Sequence, residues 1–244
     1  MKRFNAFQLK LGMALLMVLD HIHVIPGLVN PTMESIFHAL TRCVGVWFAY
    51  MAVEGFIYTR SRWGYLRRLV AFALMMLLGN GALNFLLASP EVHIGNNIFM
   101  TLAGGVLVLQ LAWGDGQQLI PQKGLRIFLA ILVGALASFG TEGGILMIPF
   151  IVLTYAFREK EMVRNSSYVV LSVLLFIMSF QVYLSWQETL GELLYNSDWL
   201  FITVLPFMYL YNGERGLQTM WSKYFFYLFY PLHIWVIAVI AYLL

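Results

Sequence analysis

Residues 35–57 read SIFHALTRCVGVWFAYMAVEGFI, and their interpretation decides the fold. Twenty-three residues with this apolar content suit a helix crossing a hydrocarbon core about 30 Å thick. Yet Arg42 lies inside the run. An ion in lipid costs a few kcal/mol or more, and it ordinarily marks a working site or a buried ion pair. The other fourteen of the fifteen Lys and Arg residues fall in alternate connections between apolar segments. Arg42 is the single exception, so the question becomes which residues it meets.

Working outward, apolar runs recur at 9–28, 35–57, 67–88, 97–113, 125–140, 143–157, 167–186, 198–211 and 224–244. They predict an all-α, polytopic transmembrane bundle of nine spans, with eight or ten as alternatives. The stretches 125–140 and 198–211 fall short of the ~20 residues a straight span needs, so either is a candidate re-entrant element. Composition agrees: 61% of residues are hydrophobic and 11% charged, with mean hydropathy +0.77. A soluble domain carries about 25% charged residues. The 244 residues leave no room for a separate soluble domain, so one integral domain over 1–244 is expected. The opening MKRF and its apolar run lack an A-x-A-like cleavage site, and Asp20, His21 and His23 interrupt the run. The segment therefore reads as a retained first helix.

Lys2, Arg3 and Lys10 precede the first span, and Arg60, Arg62, Arg67 and Arg68 fill the loop after the second. Lys123 and Arg126 follow the fourth, Arg158, Lys160 and Arg164 the sixth, and Arg215 and Lys223 the eighth. Glu34, Glu91, Glu142, Glu188, Glu192 and Asp198 occupy the intervening loops. This asymmetry predicts a cytoplasmic N-terminus and an external C-terminus. It also explains the net charge of +3 without nucleic acid, for which no basic patch with interleaved aromatics is present. Cys43, the one cysteine, excludes an internal disulfide and a thiolate metal cluster, and no metal is expected.

Depth arithmetic at 1.5 Å per residue collects the polar residues into a layer. His21 lies about 16 Å from the cytoplasmic edge, His233 about 15 Å from the same edge, and Arg42 about 12 Å below the outer one. Asp20, at similar depth, is the natural partner of Arg42. Asp20 and His23 are three apart and share a face, whereas His21 points elsewhere unless the helix distorts near Pro26. Bonding to a neighbouring backbone carbonyl is the plain alternative for each histidine, His38 included. Asn80 and Asn84 share one face of the third span, and Asn96, Asn97 and Thr101 open the fourth. Together with Glu142 they are candidates either for interhelical bonding or for lining an acceptor pocket. Glu54 falls at the cytoplasmic interface near Arg60. The dense basic segment TRSRWGYLRR, 59–68, sets topology and attracts anionic lipid, or else cradles phosphate.

Four collinear blocks carry a family resemblance: LGMALLMVLDHI (11–22), FAYMAVEGFIYTRSRWGYLRRL (48–69), NNIFMTLAGGVLVL (96–109) and FFYLFYPLHI (225–234). They resemble the TraX family of conjugation-associated membrane proteins, whose founding member is associated with N-acetylation of pilin. The family is grouped with wider membrane acyltransferases. The pattern departs at His23, where a small residue is expected after DHI, and at VGVWFAY, where a proline is expected. The resemblance implies a multi-pass protein of the bacterial cytoplasmic membrane. It also implies acyl transfer from cytoplasmic acyl-CoA, such as acetyl-CoA, to an amine or hydroxyl at the outer face: a pilin N-terminus, peptide or glycan. It points to Asp20, His21, Arg42, Glu54 and His233. In that reading Arg60, Arg62, Arg67 and Arg68 hold the donor's phosphates, and His21 or His233 is the base, with direct transfer and an acyl-histidine both open. Arg42 meets the oxyanion or an acceptor carboxylate. Without the resemblance, a proton-coupled permease with a His/Asp/Arg site fits the same residues, and a noncatalytic assembly subunit is a third reading.

Overall fold

A computed structural model describes residues 3–89, 92–114 and 119–244. Two of the charges used for topology, Lys2 and Glu91, lie outside the described residues. The helices are α1 (Ala6–His21), α2 (Pro31–Tyr58), α3 (Arg62–Leu87), α4 (Ile98–Trp113), α5 (Lys123–Gly140), α6 (Gly144–Ala156), α7 (Glu161–Ser179), α8 (Trp186–Tyr195), α9 (Val204–Leu210) and α10 (Met220–Leu243). Short 3-10 segments cover Ile22–Val24 and Ser197–Thr203. Helix starts fall where a side chain can satisfy the first free N–H groups. Asn5 and Gln8 form a reciprocal capping box on α1, Ser185 and Glu188 form another on α8, and Asn97 and Thr219 cap α4 and α10.

Among the described residues, six helices are long and apolar enough to cross a membrane: α1 with its 3-10 extension, α2, α3, α5, α7 and α10. A seventh span results if α8 and the Ser197–Leu210 segment count as one, bent by 59°. The short elements are not quite those the sequence suggested. Helix α5 reaches 18 residues, whereas α4 has 16 and α6 has 13. Several charges assigned to loops instead sit on the opening turns of helices, Arg62, Arg67 and Arg68 in the first two turns of α3 and Lys123 at the start of α5. A helix can run past the hydrocarbon edge because its backbone bonds are satisfied internally. Large apolar side chains stand exposed along α3 (Leu78, Phe85), α5 (Ile131, Phe139) and α7 (Ile177, Met178). Helices apolar on an uncovered face are built to meet lipid, and the chain is a multi-pass membrane protein.

Contacts divide the chain into two compact units, Met1–Trp47 with Asn80–Gly95 and Tyr168–Leu244, and Phe48–Gly79 with Asn96–Ser167. In the first, Trp47 is fully buried edge-on to Tyr211 at 5.9 Å between ring centroids. The start of the chain is pinned there by Arg3 N and Phe4 N donating to the Leu210 carbonyl. In the second, α4, α5 and α6 pack on one another through small residues. A Cβ on Gly105 would strike Ile151, and one on Gly144 would strike the carbonyls of Ala137 and Ser138. Close backbone approach of this kind is how membrane helices gain packing.

Candidate functional site

Helix α1 breaks into its 3-10 turn at His21, which places Asp20, His21 and His23 around a change of helical direction. The groups around Asp20 and those around the two buried imidazoles lie in the first unit. Asp20 Oδ1 accepts from three donors on α2: Thr41 Oγ1 at 2.6 Å, Arg42 Nη2 at 2.9 Å and His38 Nδ1 at 3.2 Å. Positions 38, 41 and 42 share a helix face by the three- and four-residue spacing, so one carboxylate collects all of them. Arg42 also donates from Nη1 to Asp198 Oδ1 at 3.1 Å and from Nε to the His38 carbonyl at 2.9 Å. The guanidinium is thus held by two carboxylates and a backbone oxygen. Three of the five N–H groups of Arg42 are used in this way, and Nη2 also lies 3.1 Å from His38 Nδ1.

On the other side of the Asp20–His21 peptide the imidazoles of His21 and His233 meet. Nδ1 of His21 lies 3.4 Å from Nε2 of His233, the rings are edge-on with centroids 5.1 Å apart, and both residues are buried. Each Nδ1 also sits on the carbonyl four residues earlier, His21 on Met17 at 2.9 Å and His233 on Phe229 at 3.0 Å. A carbonyl only accepts, so each ring carries its proton on Nδ1. His233 Nε2 is then a lone pair facing the His21 N–H. Among the described residues no hydrogen bond reaches His21 Nε2. Stacking on Phe229, with centroids 5.3 Å apart and planes 15° apart, fixes the His233 ring, which sits two residues beyond Pro231 inside α10.

The structure therefore brings Asp20 to Arg42 and His21 to His233. It adds Thr41, His38 and Asp198, which the sequence reading left out of the catalytic set. His38 was legible from its spacing to Arg42. Thr41 was not, since a helical threonine ordinarily bonds its own turn, as Thr41 also does to the Phe37 carbonyl at 2.8 Å.

The amides assigned to an acceptor pocket are occupied with the fold. Asn80 Oδ1 accepts from Trp235 Nε1 at 2.9 Å. Asn84 pairs with both backbone groups of Ile94, each at 2.9 Å. Those two asparagines belong to the first unit. In the second, Asn97 Nδ2 donates to the Ala73 carbonyl, and Glu142 accepts from Asn96 Nδ2 at 2.9 Å and Asn97 N at 2.6 Å. Thr101 donates to the Glu142 carbonyl at 2.7 Å. Of the basic segment, also in the second unit, Arg60 and Arg67 are exposed, while Arg62 lies over the Phe56 ring at 4.5 Å and Arg68 over Tyr65 at 5.7 Å. Glu54 is half-buried on α2. Cys43 is free and buried.

An apolar groove of about 640 Å³ runs along α1, lined by Gln8, Gly12, Leu15, Leu16 and Leu19 and closed by Phe4 and Phe207. From Gln8 to Leu19 it follows the helix for about 16 Å and ends one residue short of Asp20.

Comparison with known proteins adds three findings. Residues 7–241 match the family described as TraX protein. The chain is 24% identical over 242 residues to the probable fimbrial assembly protein FimC, serogroup H1, of Dichelobacter nodosus, covering 95% of this chain and 93% of that protein. No solved structure matches.

Proposed function

The chain belongs to the TraX family, and from that premise we propose that it is a membrane acyltransferase acting on an amine of a pilus or other envelope peptide. The donor in this reading is a cytoplasmic acyl-CoA such as acetyl-CoA, and the membrane is the cytoplasmic one. The observation that carries it is the His21–His233 pair, whose protons are held on Nδ1 by carbonyls and whose outermost lone pair, His21 Nε2, is unclaimed among the described residues.

The chemistry follows from that tautomer. His21 Nε2 takes the proton of the acceptor amine as its nitrogen attacks the thioester carbonyl. A neutral imidazole suits the task because its unperturbed pKa of about 6.5 lies near working pH. The imidazolium formed on His21 points its Nδ1–H at the His233 lone pair. The guanidinium of Arg42 is suited to the developing oxyanion. The C–S bond then breaks, and the departing thiolate takes the proton from His21. Amide and thiol leave, and the imidazole is neutral again. Two carboxylates, Asp20 and Asp198, flank the single guanidinium of Arg42. That excess of negative charge favours an ammonium-bearing acceptor over one bearing a carboxylate. The groove along α1 supports the donor side, since its walls suit an acyl or pantetheine-like arm. Arg60, Arg62, Arg67 and Arg68 are assigned the donor's phosphates on charge alone, and Asp20 and Glu54 keep only the polar roles their contacts give them.

Mass spectrometry of envelope peptides from cells with and without the gene tests this. The expected result is an acyl mass on a terminal or side-chain amine that vanishes in the deletion and in His21→Gln. Identical peptide masses in both strains would count against the reading.

One observation favours a second reading, a proton-coupled permease. Asp198 lies on the 3-10 break between α8 and α9, and interrupted helices often carry transport sites. Substrate flux in proteoliposomes lacking any acyl donor distinguishes the two.

A further inference from the structure

We propose that His23, Glu34 and His38 form a Zn²⁺ site. Glu34 and His38 are four residues apart in the first turns of α2 and so share a face. The 3-10 turn after α1 delivers His23 to them, with its ring centroid 5.0 Å from that of His38. One ligand atom from each of the three lies within 4.8 Å of the other two, and His38 Nε2 is 3.7 Å from Glu34 Oε1.

The Nδ1 atoms of both rings are engaged by Asp20, which leaves the Nε2 atoms for an ion. His23 Nδ1 lies 2.8 Å from the Asp20 carbonyl, and His38 Nδ1 lies 3.2 Å from the Asp20 carboxylate. The Asp20 carbonyl only accepts, so His23 holds its proton on Nδ1 and presents a bare Nε2, and an ion on His38 Nε2 would select the tautomer whose Nδ1–H faces the Asp20 carboxylate. Arg42 Nη2, 3.1 Å from His38 Nδ1, is a second donor onto the same Asp20 oxygen. Metal-binding histidines almost always donate their other ring N–H to a carbonyl or carboxylate, which fixes tautomer and ring orientation. Here one residue, Asp20, does so for both rings. The Asp20 carbonyl holds the His23 ring against that of His38, which brings the third group to the Glu34–His38 pair.

Two imidazoles and one carboxylate are a donor set that zinc takes, with a fourth position left open. At metal–ligand bonds of about 2.0–2.2 Å, tetrahedral donors stand roughly 3.3 Å apart. Closing the triad needs side-chain turns of about an ångström. Glu34, whose side chain is 28% exposed in the first turn of α2, can make that turn toward the imidazoles. The proposal stands apart from the acyl-transfer reading, because its test reads metal binding and not transfer.

The test uses the purified full chain without an affinity histidine tag, titrated with Co²⁺ as a visible probe and then with Zn²⁺. The expected result is stoichiometric Co²⁺ binding with the absorption of a four- or five-coordinate ion, bleached by Zn²⁺. His23→Ala and Glu34→Gln should each weaken binding at least ~10-fold, and His233→Ala should leave it unchanged. These variants are read alongside melting temperature, and His38→Ala is avoided because His38 also touches Asp20 and Arg42. Absent saturable binding, equal affinity in folded His23→Ala and Glu34→Gln, or loss of the ion with His233→Ala would each overturn the proposal.

Discussion

Arg42 bonds two carboxylates and a backbone carbonyl, so its removal is an informative single change. Arg42→Leu strands Asp20 and Asp198 without their cation. Breaking a half-buried pair in this way destabilises by about 3–5 kcal/mol, to be seen as a large fall in melting temperature in detergent. Asp20→Asn should cost more than Asp198→Asn, since the Asp198 side chain is 48% exposed and that of Asp20 is 24% exposed. The imidazoles make a different prediction. His21→Gln should lower acyl transfer by about 10²–10⁴ with folding preserved. His233 acts through His21, so His233→Asn should reduce transfer less and shift its pH profile, and an unchanged profile would remove His233 from that role. The residues in this pair and the Asp20–Arg42 partnership were legible from depth along the chain. Asp198 was not, because it is 156 residues from Arg42 and reads locally as an outer loop.

At the scale of elements, hydropathy located the apolar helices, and what it missed was their length. Helices α4 and α6 read as spans because they are the most continuously apolar, yet they are short and largely buried against α5. An apolar run alone does not say whether lipid or protein receives it. Likewise Asn80, Asn84, Asn97 and Glu142 share faces as their spacing required, but spacing cannot tell an amide that bonds a ligand from one that bonds a backbone. Asn84→Ala should loosen the segment at 92–95, raising its hydrogen exchange while leaving α4 protected. Gly105→Leu should push α4 from Ile151, at a cost of about 1–3 kcal/mol, read as lowered melting temperature. Unaltered stability in Gly105→Leu would argue against the close approach of α4 and α6.

For the whole molecule, the alternation of basic and acidic connections predicts a topology. In a Cys43→Ser background, Arg60→Cys and Lys160→Cys should react with an impermeant maleimide only after the cytoplasmic side is opened, whereas Glu188→Cys should react from outside. The reverse pattern would invert the orientation. The most direct measurement of the central claim is acyl transfer by the purified chain in proteoliposomes, given radiolabelled acetyl-CoA and an amine-terminated pilin-like peptide. The expected result is label on the peptide amine, abolished by His21→Gln and sharply reduced by Arg42→Leu where that variant remains folded. Label that moves equally well with His21→Gln, or a folded parent protein that moves none, would contradict it.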